Sequence, residues 1–339
     1  MSYFDLCNLF PTKNFNDFQF ELELNSIRTG FEGSEEIKID FRHFRWFDLW
    51  AMIQLLFFID KYKNKKIEIY LLSPVVITNE EDKRIASSVL KFLLEMEFLD
   101  RAKESNCCIL IQNTSARNKT PETDIEEIRH LFNGFEESFS VSETAKHIIP
   151  ITRVSKLDLN NVRENLYIES KEVFANLFSE LIVQEAGLGD CLLSELVSNV
   201  KVHTGGEGYV ALRAVGGLRK LKHESPEKYN NGKSARINHK LEDWKQFFSE
   251  SYDDGFFELI VADQGEGIST TISENKVVPS KTETIQEVNN KVHSLLKTAL
   301  EPFSSRLSKT QRRNQGLTEF TGLGAIISVL TSHNGCLMI

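Results

Sequence analysis

Apolar and polar residues alternate over short runs in the first half of the chain. Residues 18–24 (FQFELEL) set apolar against acidic side chains at a period of two, and residues 37–41 (IKIDF) repeat the pattern beyond Gly33 and Ser34. Alternation at that period turns one side of an extended chain to a core and the other to water, which predicts two strands. From Phe47 to Lys63 the apolar positions instead recur three and four residues apart, the period of a helix. Asp48, Asp60 and Lys61 bound its apolar run at 52–59, so it reads as a buried helix and not as a membrane span. Residues 66–72 (KIEIYLL) return to the strand pattern and end at the Ser73-Pro74 breaker.

The same alternation of elements continues. The spacing predicts an amphipathic helix over 83–99, a strand over 107–112 (CCILIQ) and a helix over 125–135. Strands interleaved with helices favour an α/β layer architecture. An apolar stretch at 147–154 leads into a polar segment, 155–165, which reads as a linker before a helix-like run at 170–185. This places a boundary near residue 155, with one domain over 1–155 and a second over 156–339. In the second half a helix is expected over 192–204 and strands over 208–215 and 256–261. A glycine-rich bend at 321–324 then opens an apolar helix, and a further strand begins at 335–339. The charged insertion 216–255 reads as a partner-binding element or a loop.

Composition narrows the class. A chain of 339 residues, 41% hydrophobic, holds enough apolar material for two domain cores. Its formal charge of -9 works against the phosphate backbone of nucleic acid, which is therefore not the expected partner. The five cysteines are scattered without a CxxC pair, which suits a reducing, cytoplasmic setting and offers no zinc or disulfide framework. The N-terminus lacks the pattern of a signal peptide, and no membrane span is expected.

Three segments carry candidate chemistry. In 192–204 (LLSELVSNVKVHT), Glu195 and Asn199 stand four apart and so share one side of a helix. An amide oxygen is a hard ligand suited to magnesium, and a carboxylate one turn earlier can polarise a water aimed at a terminal phosphate. Taken alone, the pair equally fits a solvated helix face. In 256–268 (FFELIVADQGEGI) an apolar strand runs into Asp263, Gly265 and Gly267. A carboxylate there can accept from the exocyclic amine of adenine, where guanine carries a carbonyl; a plain turn after a strand also fits. In 321–330 (TGLGAIISVL) a helix start offers backbone N–H groups to phosphate oxygens.

The order of these segments resembles the N, G1 and G2 boxes of the GHKL ATP-binding fold shared by gyrase and the histidine kinases, over roughly residues 170 to 339. The resemblance implies a two-layer α/β sandwich with ATP and Mg2+ as cofactors. Asn199 would hold magnesium, Asp263 would read adenine, and Gly265, Gly267, Gly322, Leu323 and Gly324 would line the pocket. Glu195 would correspond to the general base of the family's ATPases. His203 matches a frequent family residue, and a structural role at a helix end accounts for it equally well. Residues 269–320 would form a lid over the phosphates, with Arg306, Lys309, Arg312 and Arg313 as its basic run. Phe320 stands where the third box often has its first glycine, which implies sparser phosphate contact. No transducer segment lies within these residues, so slow hydrolysis is expected.

The first domain resembles the STAS-like fold of anti-sigma-factor antagonists in its strand 37–41, loop 44–48, helix, strand 66–72 and helix ending at 99. Phosphoregulated members carry serine or threonine after the aspartate of that loop. Here Leu49 and Trp50 follow Asp48, so no phosphoswitch is expected there. An unrelated small α/β domain accommodates the same periodicity. The fold expected is thus α/β, a STAS-like domain followed by a GHKL sandwich. The function expected is that of a cytoplasmic MgATP-dependent regulatory switch with slow ATPase activity. It would act on a protein client or effector, with a second copy of the chain as a further candidate partner. The alternative is an anti-sigma-type serine protein kinase acting on a client, and an interaction module without nucleotide is a third class.

Overall fold

The alternating runs of the first half become a parallel sheet. The computed structural model describes residues 3–5, 14–15, 24–42, 46–47, 49–112, 122–136, 145–157, 193–204, 207–216 and 255–265. Its elements begin with strands β1 (Tyr3–Asp5) and β2 (Asn14–Phe15), helix α1 (Leu24–Gly33) and strands β3 (Glu36–Asp40) and β4 (Trp46–Phe47). Next along the chain come helix α2 (Leu49–Lys61), β5 (Lys66–Leu72), α3 (Glu80–Glu95), α4 (Phe98–Glu104), β6 (Cys107–Gln112), α5 (Ile125–Glu136) and β7 (Ala145–Arg153). The chain divides into two compact units, one built mainly from Met1–Thr152 and the other mainly from Arg153–Val210 and His239–Ile339.

In the first unit the strand order is β1-β3-β5-β6, and every neighbouring pair is parallel. The register sets Ile37 beside Ile67 and Ile67 beside Cys107, with Ile39, Ile69 and Ile109 one pleat on. These side chains share one face and are buried. Because successive side chains in a strand point to opposite faces, Glu36, Lys66, Glu68, Tyr70 and Cys108 fall on the other face. There Lys66 Nζ bridges Glu36 Oε1 at 2.6 Å and Glu68 Oε1 at 2.5 Å, and Tyr70 Oη donates to Glu68 Oε2 at 2.6 Å. Each crossover steps to the next strand in one direction, and right-handed crossovers of that kind put their helices on one side of a sheet. Helix α2 is the centre of the packing: nine of its residues, from Leu49 to Ile59, are buried around its circumference. An apolar helix of that kind needs cover on all sides.

Four details differ from the sequence expectation. Leu24, expected to end a strand, begins helix α1; the rest of 18–24 lies outside the described residues. The single helix expected over 83–99 is two, divided at Met96 and Glu97, where Glu97 takes φ of 53°. Within the expected loop 44–48, Trp46–Phe47 pairs in parallel with Asn14–Phe15. The stretch expected to lead into a linker is strand β7, which runs into a short 3-10 turn at Val154–Lys156.

The second unit contains helix α6 (Ser194–Thr204), strand β9 (Gly255–Asp263) and the start of its neighbour β8 (Gly208–Gly216), of which Ala211–Arg213 are grouped with the first unit. Among the described residues no helix is long and apolar enough to cross a membrane. Helices and sheets are mixed, an α/β protein.

Candidate functional site

Helix α6 packs by an apolar stripe. Val197 and Val200 are buried and fall with Leu193 at spacings of four and three, whereas Lys201 is exposed. Asn199 sits at the border of that stripe, half-buried. Glu195 and His203 lie one turn before and one turn after it on the same helix, so the three positions run along one side.

The chain leaves α6 and enters β8 at Gly208, where the packing is tight. A Cβ placed on Gly208 would lie 2.5 Å from the carbonyl oxygen of Ala262 and 2.9 Å from Val200 Cγ1. Neither distance is tolerable for a real side chain, so glycine is required here by close approach, and α6 and the end of β9 meet across it. Val200 adjoins Asn199 and Ala262 adjoins Asp263. The chain neighbours of both candidate ligand-binding residues, Val200 through its side chain and Ala262 through its backbone carbonyl, are therefore brought to the start of β8. Tyr209, the next residue, is fully buried, with the Arg153 guanidinium 5.1 Å from its ring centroid.

Asp263 ends β9 with an exposed side chain. Its Oδ1 accepts a hydrogen bond from the Gly265 N–H at 2.7 Å, which fixes the direction of the carboxylate. An aspartate bonding the backbone two residues on is a common turn device. A carboxylate has about four acceptor positions on its two oxygens, so this bond leaves capacity for a donor from a ligand.

Asn199 and Asp263 thus belong to elements that meet, Gly265 lies in the turn just after β9, and Glu195 and His203 belong to the same helix as Asn199. Gly267, Gly322, Leu323 and Gly324 lie outside the described residues, as do the basic run and nearly all of the insertion and lid. Nothing in the sequence singles out Gly208; the close approach does.

Among the described residues no group of three His, Cys, Asp or Glu side chains stands ready to hold a metal. Magnesium commonly takes one or two protein ligands and completes its shell with water and phosphate oxygens. The donor set, an amide oxygen on α6 and a carboxylate at the end of β9, fits a metal-bound nucleotide. In the first unit, the cavity between Phe41, Leu71 and α3 has a volume of about 20 Å3. It has room for a water and not for an organic ligand.

Compared with known protein families, curated proteins and solved structures, the chain finds no match in any of the three.

Proposed function

We propose that the second unit is a GHKL-type domain that binds ATP with magnesium, and that the chain is a cytoplasmic regulatory protein whose nucleotide state alters how it meets a protein partner. The observation that carries this reading is the junction at Gly208. It seats the helix bearing Asn199 against the strand that ends in Asp263. Asn199 holds magnesium, and Asp263, oriented by the Gly265 N–H, accepts from the exocyclic amine of adenine. Magnesium offsets the charge of the phosphates. Glu195, one turn from Asn199, is the candidate base for a slow hydrolysis.

The first unit is proposed to be a STAS-like module, on the support of its β3-α2-β5-α3-α4-β6 series with parallel neighbours. Leu49 comes after the loop in place of a phosphorylatable residue, so the regulation proposed runs through nucleotide.

Calorimetric titration with ATP and with GTP, each with and without magnesium, tests the nucleotide reading. Loss of a hydrogen bond to a charged group costs about 1.5–3 kcal/mol, so Asp263→Ala is expected to weaken ATP binding by about 10- to 100-fold and to erase the preference over GTP. Asn199→Ala is expected to remove the magnesium dependence. Absence of ATP binding by folded wild-type protein would leave a partner-binding module as the better account. On the same samples, phosphate released free supports the switch, and label transferred to a client protein supports a serine kinase.

A further inference from the structure

We infer that Gly208 is a positioning residue that sets the spacing between the magnesium side and the adenine side of the nucleotide site. This inference rests on the ATP-binding reading and deepens it. The backbone of Gly208 shows no left-handed φ, so the position does not call for glycine on conformational grounds. It calls for glycine because two other elements occupy the place of its Cβ. One of them is the backbone carbonyl of Ala262, held in β9, which cannot rotate aside as a side chain does. The other is Val200 Cγ1, on a buried and β-branched side chain with little rotamer freedom in a helix.

A methyl group at 208 therefore has to displace α6, the end of β9, or both. Each displaced point is the immediate chain neighbour of a ligand-binding residue, Asn199 on one side and Asp263 on the other. Adenosine engages only the Asp263 side. MgATP must satisfy both sides at once, so its affinity depends on their separation. The ratio of ATP affinity with magnesium to ATP affinity in EDTA reads that separation directly, because it is the coupling between the two halves of the site. A residue that merely supports the fold would lower adenosine and MgATP affinity together.

The test compares Gly208→Ala with wild-type full-length chain by calorimetry against adenosine, ATP in EDTA and ATP with magnesium. The magnesium ratio is expected to fall by about 10-fold, within the range of ordinary coupling between sites, while adenosine affinity falls by no more than about threefold. Should Gly208→Ala fail to fold, Val200→Ala takes its place. It loosens the helix side of the same contact without adding an atom, and is expected to lower the ratio by about threefold. A magnesium ratio equal to wild type in the variant, or a parallel loss for all three ligands, overturns the role of Gly208 and leaves the ATP reading standing. Folded wild-type protein that binds none of the three ligands overturns both.

Discussion

At the scale of single residues, two buried groups in the first unit have environments with measurable consequences. Cys107 is 4% exposed, and burial, with smaller contributions from Cys108 and Asp60, pushes its thiol up from 9.0 to about 12. An acid whose folded pKa is raised stabilises the fold fully below its unfolded value, and that stabilisation is lost as pH rises toward the folded value. Denaturant unfolding at pH 7 and pH 10 should therefore show an alkaline loss of about 1 kcal/mol that Cys107→Ala removes. The same thiol should resist alkylation in the native state at pH 8. Ser87, on the buried side of α3, is 2% exposed and its Oγ has no hydrogen-bond partner among the described residues. A buried hydroxyl without a partner carries a desolvation cost, and alanine is the better helix former. Ser87→Ala is thus expected to raise stability by about 0.5–1.5 kcal/mol in urea unfolding.

At the scale of elements, helix α1 depends on what surrounds it. It carries Gly30 and Gly33 in a ten-residue span, a composition that favours no helix in isolation. Phe31 is fully buried between Phe58 and Tyr62, with ring centroids 5.6 and 5.5 Å away. Lys65 Nζ donates to the carbonyls of Phe31, Glu32 and Ser34 at 2.5, 3.0 and 2.7 Å, so a cation closes the C-terminal end of the helix. Lys65→Met should cost about 1–3 kcal/mol in the same unfolding measurement, with amide exchange accelerated in the last turn of α1. These partners lie some thirty residues along the chain, which is why local periodicity does not reveal α1. The division between α3 and α4 is hidden for a similar reason. The apolar spacing runs on through Met96 and Phe98 with no glycine or proline, while Glu97 is left-handed and its carboxylate is held by Arg101 at 2.7 Å. By contrast β3, β5, β6 and α2 are legible, because each has one period and one burial pattern and needs no distant partner to be recognised.

At the scale of the whole molecule, the chain forms a first unit, mainly Met1–Thr152 and centred on α2, and a second, mainly Arg153–Val210 and His239–Ile339, that contains the candidate site. Of that site, the sequence makes the chemistry of Asn199 and Asp263 legible, since an amide on a helix and a carboxylate at a strand end are local patterns. It does not disclose Gly208, whose importance arises only when α6 and β9 close on the start of β8. The central claim is that these elements form a site for an adenine nucleotide, and hydrogen–deuterium exchange on wild-type protein addresses binding and location together. With saturating MgATP, the amides of α6 and those from Ile260 to Gly265 should gain protection, and MgGTP at the same concentration should leave them unchanged. Exchange in both segments that is indifferent to MgATP, or equally slowed by the two nucleotides, would contradict the account.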